Sequence, residues 1–180
     1  MRISKVTTKT GDQGDTSLGN GERKLKSDPR INFIGTVDEL NAFIGFLRAI
    51  GGKEWDPVLE AIQQDLFNLG GEGATPGIKN ALLSEDRIPD LEQWIHTLNE
   101  QLPPLKEFVL PTGDEFTVRA HLARTVCRRA ERSAVALKES GAETKNWIPY
   151  LNRLSDFLFV LARHQSQQSG GKETQWKKKL

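Results

Sequence analysis

One cysteine is present, Cys127, so no disulfide can form within the chain. This suits a reducing compartment. The longest apolar runs are far too short to span a bilayer, and no membrane role is expected. The opening residues, "MRISKVTTKTG", hold no apolar stretch of the signal-peptide kind, so a cytoplasmic protein is expected. Excess charge of one sign is also missing. Lys and Arg number 25 against 24 Asp and Glu, a net charge of +1. Such a chain has no global field to attract nucleic acid, and aromatics are few, so no nucleic-acid partner is expected. An anion site would have to come from local clustering. Histidine occurs only three times. A ferritin-like di-iron bundle needs a Glu-x-x-His pair on each of two helices. Glu92 and His96 are four apart, and neither His121 nor His164 has a glutamate three residues before it.

What is present is one domain's worth of amphipathic sequence. The 180 residues fit a single domain, 1–180, able to bury one core. Residues 1–28 are polar, rich in glycine, hydroxyls and cations, and cannot build a core. They form either a disordered arm or a loop that becomes ordered around something negatively charged. From Ile31, "INFIGTVDELNAFIGFLRAIGG" carries apolar residues at three- and four-residue steps, which predicts a helix ended by Gly51 and Gly52. A second helix is expected over about 57–69, broken by "GGEGATPG". Residues 78–86 are ambiguous. A third helix is expected from about Asp90, with Leu91, Trp94, Ile95 and Leu98 on one side, ended by "LPPL". "FVLPTGDEF" reads as extended, because Pro111 biases Leu110 away from helix. Asp114 or Thr112 caps a long fourth helix over about 114–140. The fifth runs from about 146 to 165, with Pro149 in its first turn. Residues 166–180, "SQQSGGKETQWKKKL", read as a flexible tail. The class is all-α: a five-helix bundle over 29–165 behind an N-terminal polar loop.

The fourth helix carries the most informative pattern. In "RAHLARTVCRRAERSAVAL", Phe116, Ala123, Val126, Cys127, Ala130, Ala134 and Leu137 make one broad apolar stripe. Arg124, Arg128, Glu131 and Arg132 gather opposite it. Arginines four apart repel by roughly 0.2–0.5 kcal/mol per pair, and Glu131 compensates only partly. This face is either solvated or an anion site, for which the planar guanidinium fork is suited. Asp38, Glu39 and Asn41 on the first helix, and Asn152, Arg153 and Asp156 on the last, offer carboxylates and an amide toward it. In "TKTGDQGDT" the glycines let successive backbone N–H groups converge on an anion, with Lys9 and Lys26 adding charge. No GxxxxGK[ST] motif occurs, so this is not a Walker A loop.

Taken in order, "TKTGDQGDTSL", "GTVDELNAFIG", "FVLPTG", "AHLARTVCRRAER" and "YLNRLSDFLFVLAR" resemble the PduO-type ATP:cob(I)alamin adenosyltransferases. The resemblance spans residues 3 to about 165. It implies a homotrimer with active sites at subunit interfaces, where the 5′-deoxyadenosyl group of ATP passes to cob(I)alamin, giving adenosylcobalamin and triphosphate. By resemblance, Thr8, Lys9, Thr10, Gly11, Gly14, Thr16, Ser17 and Lys26 would hold ATP, chiefly its triphosphate, the loop of one subunit closing it against the arginine helix of its neighbour. Arg128 would contact phosphate and Glu131 the nucleotide, with Arg129 and Arg132 in support. Asn152 would bind ATP and Asp156 orient the arginines. Asp38 would pair with Arg124 on the corrinoid side. Phe108 would press on the lower face of the corrin and keep the base ligand off cobalt. Mg²⁺ is expected mainly through the ATP phosphates. A flavoprotein reductase and an adenosylcobalamin-dependent acceptor enzyme are the implied partners. The loop is expected to take its order from ATP. Two positions depart from the family pattern: Thr112 stands where glycine is expected, and Asn32 where some members have a carboxylate. A nucleotide sensor that binds ATP without turnover is the main alternative.

Overall fold

Asp28 begins the helical part of the chain. Its carboxylate accepts a hydrogen bond from the Arg30 amide at 2.8 Å, and Pro29 occupies the first turn, where its missing N–H has no cost. Helix α1 then runs Pro29–Ile50 in this computed structural model, which describes residues 7–178. Residues 3–6 of the resemblance and residues 179–180 of the tail lie outside the described residues. After α1 come α2 (Gly52–Ala74), α3 (Arg87–Asn99), α4 (Glu115–Glu139) and α5 (Trp147–Gln168). The five expected helices are all there.

Their boundaries differ from the periodicity for identifiable reasons. Helix α2 starts at Gly52, not near 57, so Pro57 lies inside it. The turn between α1 and α2 is the single residue Gly51. A Cβ there would come within 2.8 Å of the Phe116 ring and 2.9 Å of the Leu47 carbonyl, so only glycine allows so sharp a reversal. Helix α3 starts at Arg87, three residues earlier than expected. The Arg87 guanidinium is fixed to Asp65 of α2 at 2.8 Å, and the Tyr150 hydroxyl donates to the same carboxylate at 2.9 Å. Burial pushes the Asp65 carboxyl up, against the pull of these two partners. The ambiguous 78–86 segment is organised by Glu72, whose buried carboxylate accepts from the Leu82 and Leu83 amides at 2.6 and 2.8 Å and from the Trp147 indole at 2.6 Å. For α4, the cap left open between two residues is Asp114, which accepts from the Thr117 amide at 2.8 Å.

Helix α4 packs against α1 and α5, α1 also packs against α2, and α3 against α5. The expected α4 stripe is the buried side, and its small residues Ala120, Ala123, Cys127, Ala130 and Ala134 let neighbouring helices approach closely. Across the bundle Phe33 stacks on Trp147, with centroids 4.9 Å apart. Trp94 departs from its expected place: it sits at the rim, edge-on to Trp55, while Leu91 and Leu98 enter the core.

Two segments read as irregular are not. Within the opening loop, β1 (Asp15–Ser17) and β2 (Arg23–Leu25) form an antiparallel hairpin with Thr16 opposite Lys24. The flexible tail expected over 166–180 is also corrected. Helix α5 continues to Gln168, and the chain after it turns back to pair with the Phe108 segment through a Val109–Gln175 bridge.

Candidate active site

The opening hairpin is held by Arg23. Its guanidinium donates to Asp15 at 3.1 Å, to the Ser17 hydroxyl at 3.1 Å and to the Thr10 carbonyl at 2.9 Å. The Arg23 hydrogen bond holds the Asp15 carboxyl below the usual carboxylate range, against a smaller opposing effect of burial. Leu18 is buried, and the Gly19 amide donates to the Ala74 carbonyl at 2.7 Å, so the hairpin is docked on the end of α2. The hairpin is thus braced by groups of the chain itself. The residues expected to hold phosphate cluster at the open end. Thr8 and Thr10 hydroxyls lie 3.0 Å apart. Lys9 has φ +60, an uncommon conformation for a lysine. The Lys26 ammonium hangs over Gly11: a Cβ on that glycine would lie 3.2 Å from Nζ. The Lys26 amide donates to the Gly14 carbonyl at 2.8 Å. Thr16 and Ser17 follow within β1.

The α4 arginines divide by environment. Arg128 and Arg132 are exposed and have no ion-pair partner among the described residues. Arg129 pairs with Glu39 of α1 at 2.5 Å. Glu131 accepts a hydrogen bond from the Asn152 amide at 3.1 Å, so these two stand together on adjoining helices. Asp156 bonds Arg153 on its own helix at 3.4 Å and no α4 arginine, which departs from the orienting role expected of it. Arg124 is half-buried, its Nε has no hydrogen-bond partner, and its guanidinium lies 5.8 Å from the Phe159 ring centroid. Burial, then repulsion from Arg128, pulls its pKa below the usual guanidinium value. Cys127 donates to the Leu151 carbonyl at 3.2 Å, and burial raises its thiol well above the ordinary value, so it is inert packing.

Beside Arg124 opens a cleft of about 390 Å³, lined by residues 105–109, Arg124 and Phe159. Phe108 stands 78% exposed at its rim, edge-on to Trp176 at 6.4 Å. Asp38 is elsewhere, bordering a second cleft between α1 and α2. The expected Asp38–Arg124 pair is therefore not made within one protomer. The Thr112 departure carries no strain: this residue has no positive φ, and its amide donates to the Leu110 carbonyl at 2.8 Å. Asn32 is exposed on α1.

A family model described as "Cobalamin adenosyltransferase" matches residues 6–165. The chain belongs to the cobalamin adenosyltransferase family. It is 47% identical over 181 residues to the cobalamin adenosyltransferase of Cupriavidus metallidurans, covering 98% of this chain and 96% of that protein. It is 41% identical to the corrinoid adenosyltransferase of Homo sapiens, over 96% of this chain and 73% of that one. A variant of the PduO-type ATP:corrinoid adenosyltransferase from Lactobacillus reuteri, solved in complex with cobalamin and ATP, superposes with a TM-score of 0.91 at 31% identity. That match covers 97% of this chain and 100% of the solved one.

Arg23 and Phe159 were not singled out from the sequence, whereas Glu39, offered there as a carboxylate for the α4 arginines, pairs with Arg129. Arg23 had one local signal: it faces Ser17 across a "GNGE" turn. Arg23→Ala is expected to weaken nucleotide binding about tenfold, because roughly 1.4 kcal/mol of loop order is lost. Arg23→Lys recovers only part of this, since an ammonium cannot span three acceptors in one plane. Calorimetric titration with an ATP analogue reads the difference.

His121 gives the site wall a pH limit. It is 3% exposed and packs on Phe159 at 6.3 Å. Burial, then the Arg124 charge, lowers its pKa from 6.5 to about 4, while Glu173 opposes them. Its folded value lies below the unfolded one, so the stability it contributes is present above pH 6.5 and lost as pH falls through about 4. The full contribution is about 3 kcal/mol. His121→Leu is expected to flatten the fall in melting temperature over that interval.

Proposed function

We propose that the opening loop of one subunit and the arginine face of α4 in its neighbour form one adenosyl-transfer site, in a homotrimer. The reaction moves the 5′-deoxyadenosyl group of ATP to cob(I)alamin, giving adenosylcobalamin and triphosphate. The observation that carries this reading is a division. Lys9, Lys26 and the Gly11 turn form one cationic cradle, while Arg128 and Arg132 form another that no side chain among the described residues neutralises. Among the described residues the hairpin's hydrogen bonds stay within the loop or run to the end of α2. A second copy would join the halves, and would also let Asp38 meet the unpartnered Nε of Arg124.

Cobalt(I) attacks C5′, a Co–C bond forms, and the C5′–O bond breaks with its electron pair leaving on triphosphate. Negative charge grows on the bridging oxygen as it leaves. Fixed cations at that position stabilise the transition state more than the ground state. Arg128 and Arg132 supply them, and Lys9 and Lys26 hold the far phosphates. Glu131 and Asn152, already hydrogen-bonded to each other, receive the nucleoside end. No general base is needed, because Co(I) is itself the nucleophile, and the protein's part is positioning. Phe108 occupies the lower face of the corrin, so the base ligand cannot return to cobalt. Among the described residues no group of three or more His, Cys, Asp or Glu is placed to hold a metal ion. The triphosphate oxygens are the natural ligands for Mg²⁺, which would neutralise part of the phosphate charge.

A cytoplasmic setting and a flavoprotein that reduces Co(II) belong to the same reading, as does an acceptor enzyme for the product. No helix of the described residues is long and apolar enough to cross a membrane. The test of the shared site is subunit mixing. Lys26→Ala and Arg128→Ala proteins, each impaired alone, are unfolded together, refolded and assayed. Regain of activity is expected, since some interfaces then carry both native halves. No regain, with mixed oligomers demonstrated, would put the whole site within one chain.

A further inference from the structure

The segment after α5 is tied to the loop that carries Phe108 and to α5 itself. Gly170 has φ +73, and the Gly171 amide donates to the Ser166 carbonyl at 2.8 Å. A Cβ on Gly171 would stand 2.9 Å from that carbonyl, so the chain reverses there only with glycine. Two residues later Glu173 meets Arg163. The Arg163 side chain is buried; its Nε donates to Glu173 at 2.6 Å, and its Nη2 to Glu173 at 3.2 Å and to the Pro103 carbonyl at 2.8 Å. Pairing with the next loop follows at once. The Leu110 amide donates to the Thr174 carbonyl at 2.8 Å, Val109 bridges Gln175, and the Trp176 amide donates to the Phe108 carbonyl at 2.7 Å.

We propose that residues 169–178 are a strap that sets the position of Phe108 over its cleft, and that the ion pair of Glu173 with buried Arg163 is its latch. Both are positioning residues, and the kinetic consequence rests on the reading of Phe108 given above. The physical argument is one of balance. A two-stranded ribbon this short is not stable alone. Phe108 is itself mostly exposed, so its side chain does little to anchor the loop. Pro103, Pro104 and Pro111 remove backbone donors around it. The ion pair is a directional contact to a buried group beside the ribbon, and removing the acid leaves a buried guanidinium short of acceptors. Loss of the latch therefore frees the strap, and the strap frees Phe108. The ring must sit flat under a corrin, where a displacement of about 1 Å has large effects on rate.

Hydrogen exchange and kinetics on the full-length protein test this together. In Glu173→Ala, peptides spanning residues 105–112 and 172–178 are expected to exchange faster, with the α1 and α4 peptides unchanged. Glu173→Gln keeps an acceptor for Arg163 and is expected to show a smaller increase. Unchanged exchange at 105–112 would overturn the strap. Adenosylation by Glu173→Ala is expected to fall on the order of tenfold when it starts from cob(II)alamin with reductant, and much less from pre-formed cob(I)alamin. Equal loss from both, in a set where Phe108→Ala does separate them, would make the pair a structural contact with no part in positioning. If Phe108→Ala fails to separate them, the reading of Phe108 is what falls, and the exchange data still decide the strap.

Discussion

Arg128→Ala is expected to lower kcat/KM for ATP by roughly a hundredfold while leaving the melting temperature unchanged or slightly raised. The two halves of this expectation come from the same observation. Arg128 is exposed and has no ion-pair partner among the described residues, so its loss empties no internal contact. It also relieves repulsion from Arg124 and Arg132, each one helical turn away, worth roughly 0.2–0.5 kcal/mol per pair. A fold does not retain such a row for its own stability. Against a triphosphate the row becomes favourable. A charge-assisted hydrogen bond that strengthens as the leaving group gains charge is worth about 2.7 kcal/mol, or a hundredfold. Arg128→Lys is expected to fall between, because an ammonium keeps the charge but loses the fork. Steady-state kinetics with ATP varied, beside a thermal melt, measures both. Near-normal kinetics in Arg128→Ala would remove this residue from the phosphate site.

The second large effect concerns Phe108. Phe108→Ala is expected to slow adenosylation from cob(II)alamin with reductant by about 30-fold, with a smaller loss from pre-formed cob(I)alamin and with ATP affinity preserved. In the proposed site the corrin covers the phenyl ring of Phe108, which stands exposed at the rim of the cleft. Covering it against a flat macrocycle contributes about 2 kcal/mol, which corresponds to about 30-fold. That contact favours the corrin whose lower base ligand is off cobalt. Removing an axial ligand makes Co(II) easier to reduce, so the ring matters most when reduction must occur on the protein. Cob(I)alamin already lacks the lower ligand and has less to gain. The groups proposed to bind ATP lie on the loop and α4, apart from this ring. Equal loss from both corrinoid forms would remove the role in displacing the base.

The α4 stripe was legible because it follows from local periodicity. Every residue placed on it, from Phe116 to Leu137, is buried. Asp114 was half legible: capping chemistry named it beside Thr112, and only the Thr117 amide decides between them. The starts of α2 and α3 were not legible. One depends on a clash at Gly51 with a ring 65 residues away in sequence, the other on an ion pair between Arg87 and Asp65. The tail was misread for a related reason. "SGGKETQWKKKL" has the composition of a loose end, and nothing local shows that Glu173 meets Arg163 or that Thr174 pairs with Leu110. At the site, composition pointed to the loop and the arginine face. The anchor Arg23 was hidden because its partners, Asp15, Ser17 and Thr10, assemble only once the hairpin closes. The Asp38–Arg124 pair came from the family resemblance, and within one chain the two residues border different clefts.

Purified protein, ATP, Mg²⁺ and chemically reduced cob(I)alamin, mixed without oxygen and followed by absorbance, test the account most directly. The expected result is ATP-dependent appearance of an alkylcobalamin spectrum that collapses under light, with one triphosphate released per corrinoid and the rate lost in Arg128→Ala. ATP binding without that photolabile product would contradict it, and would leave a nucleotide-sensing protein built on the same bundle.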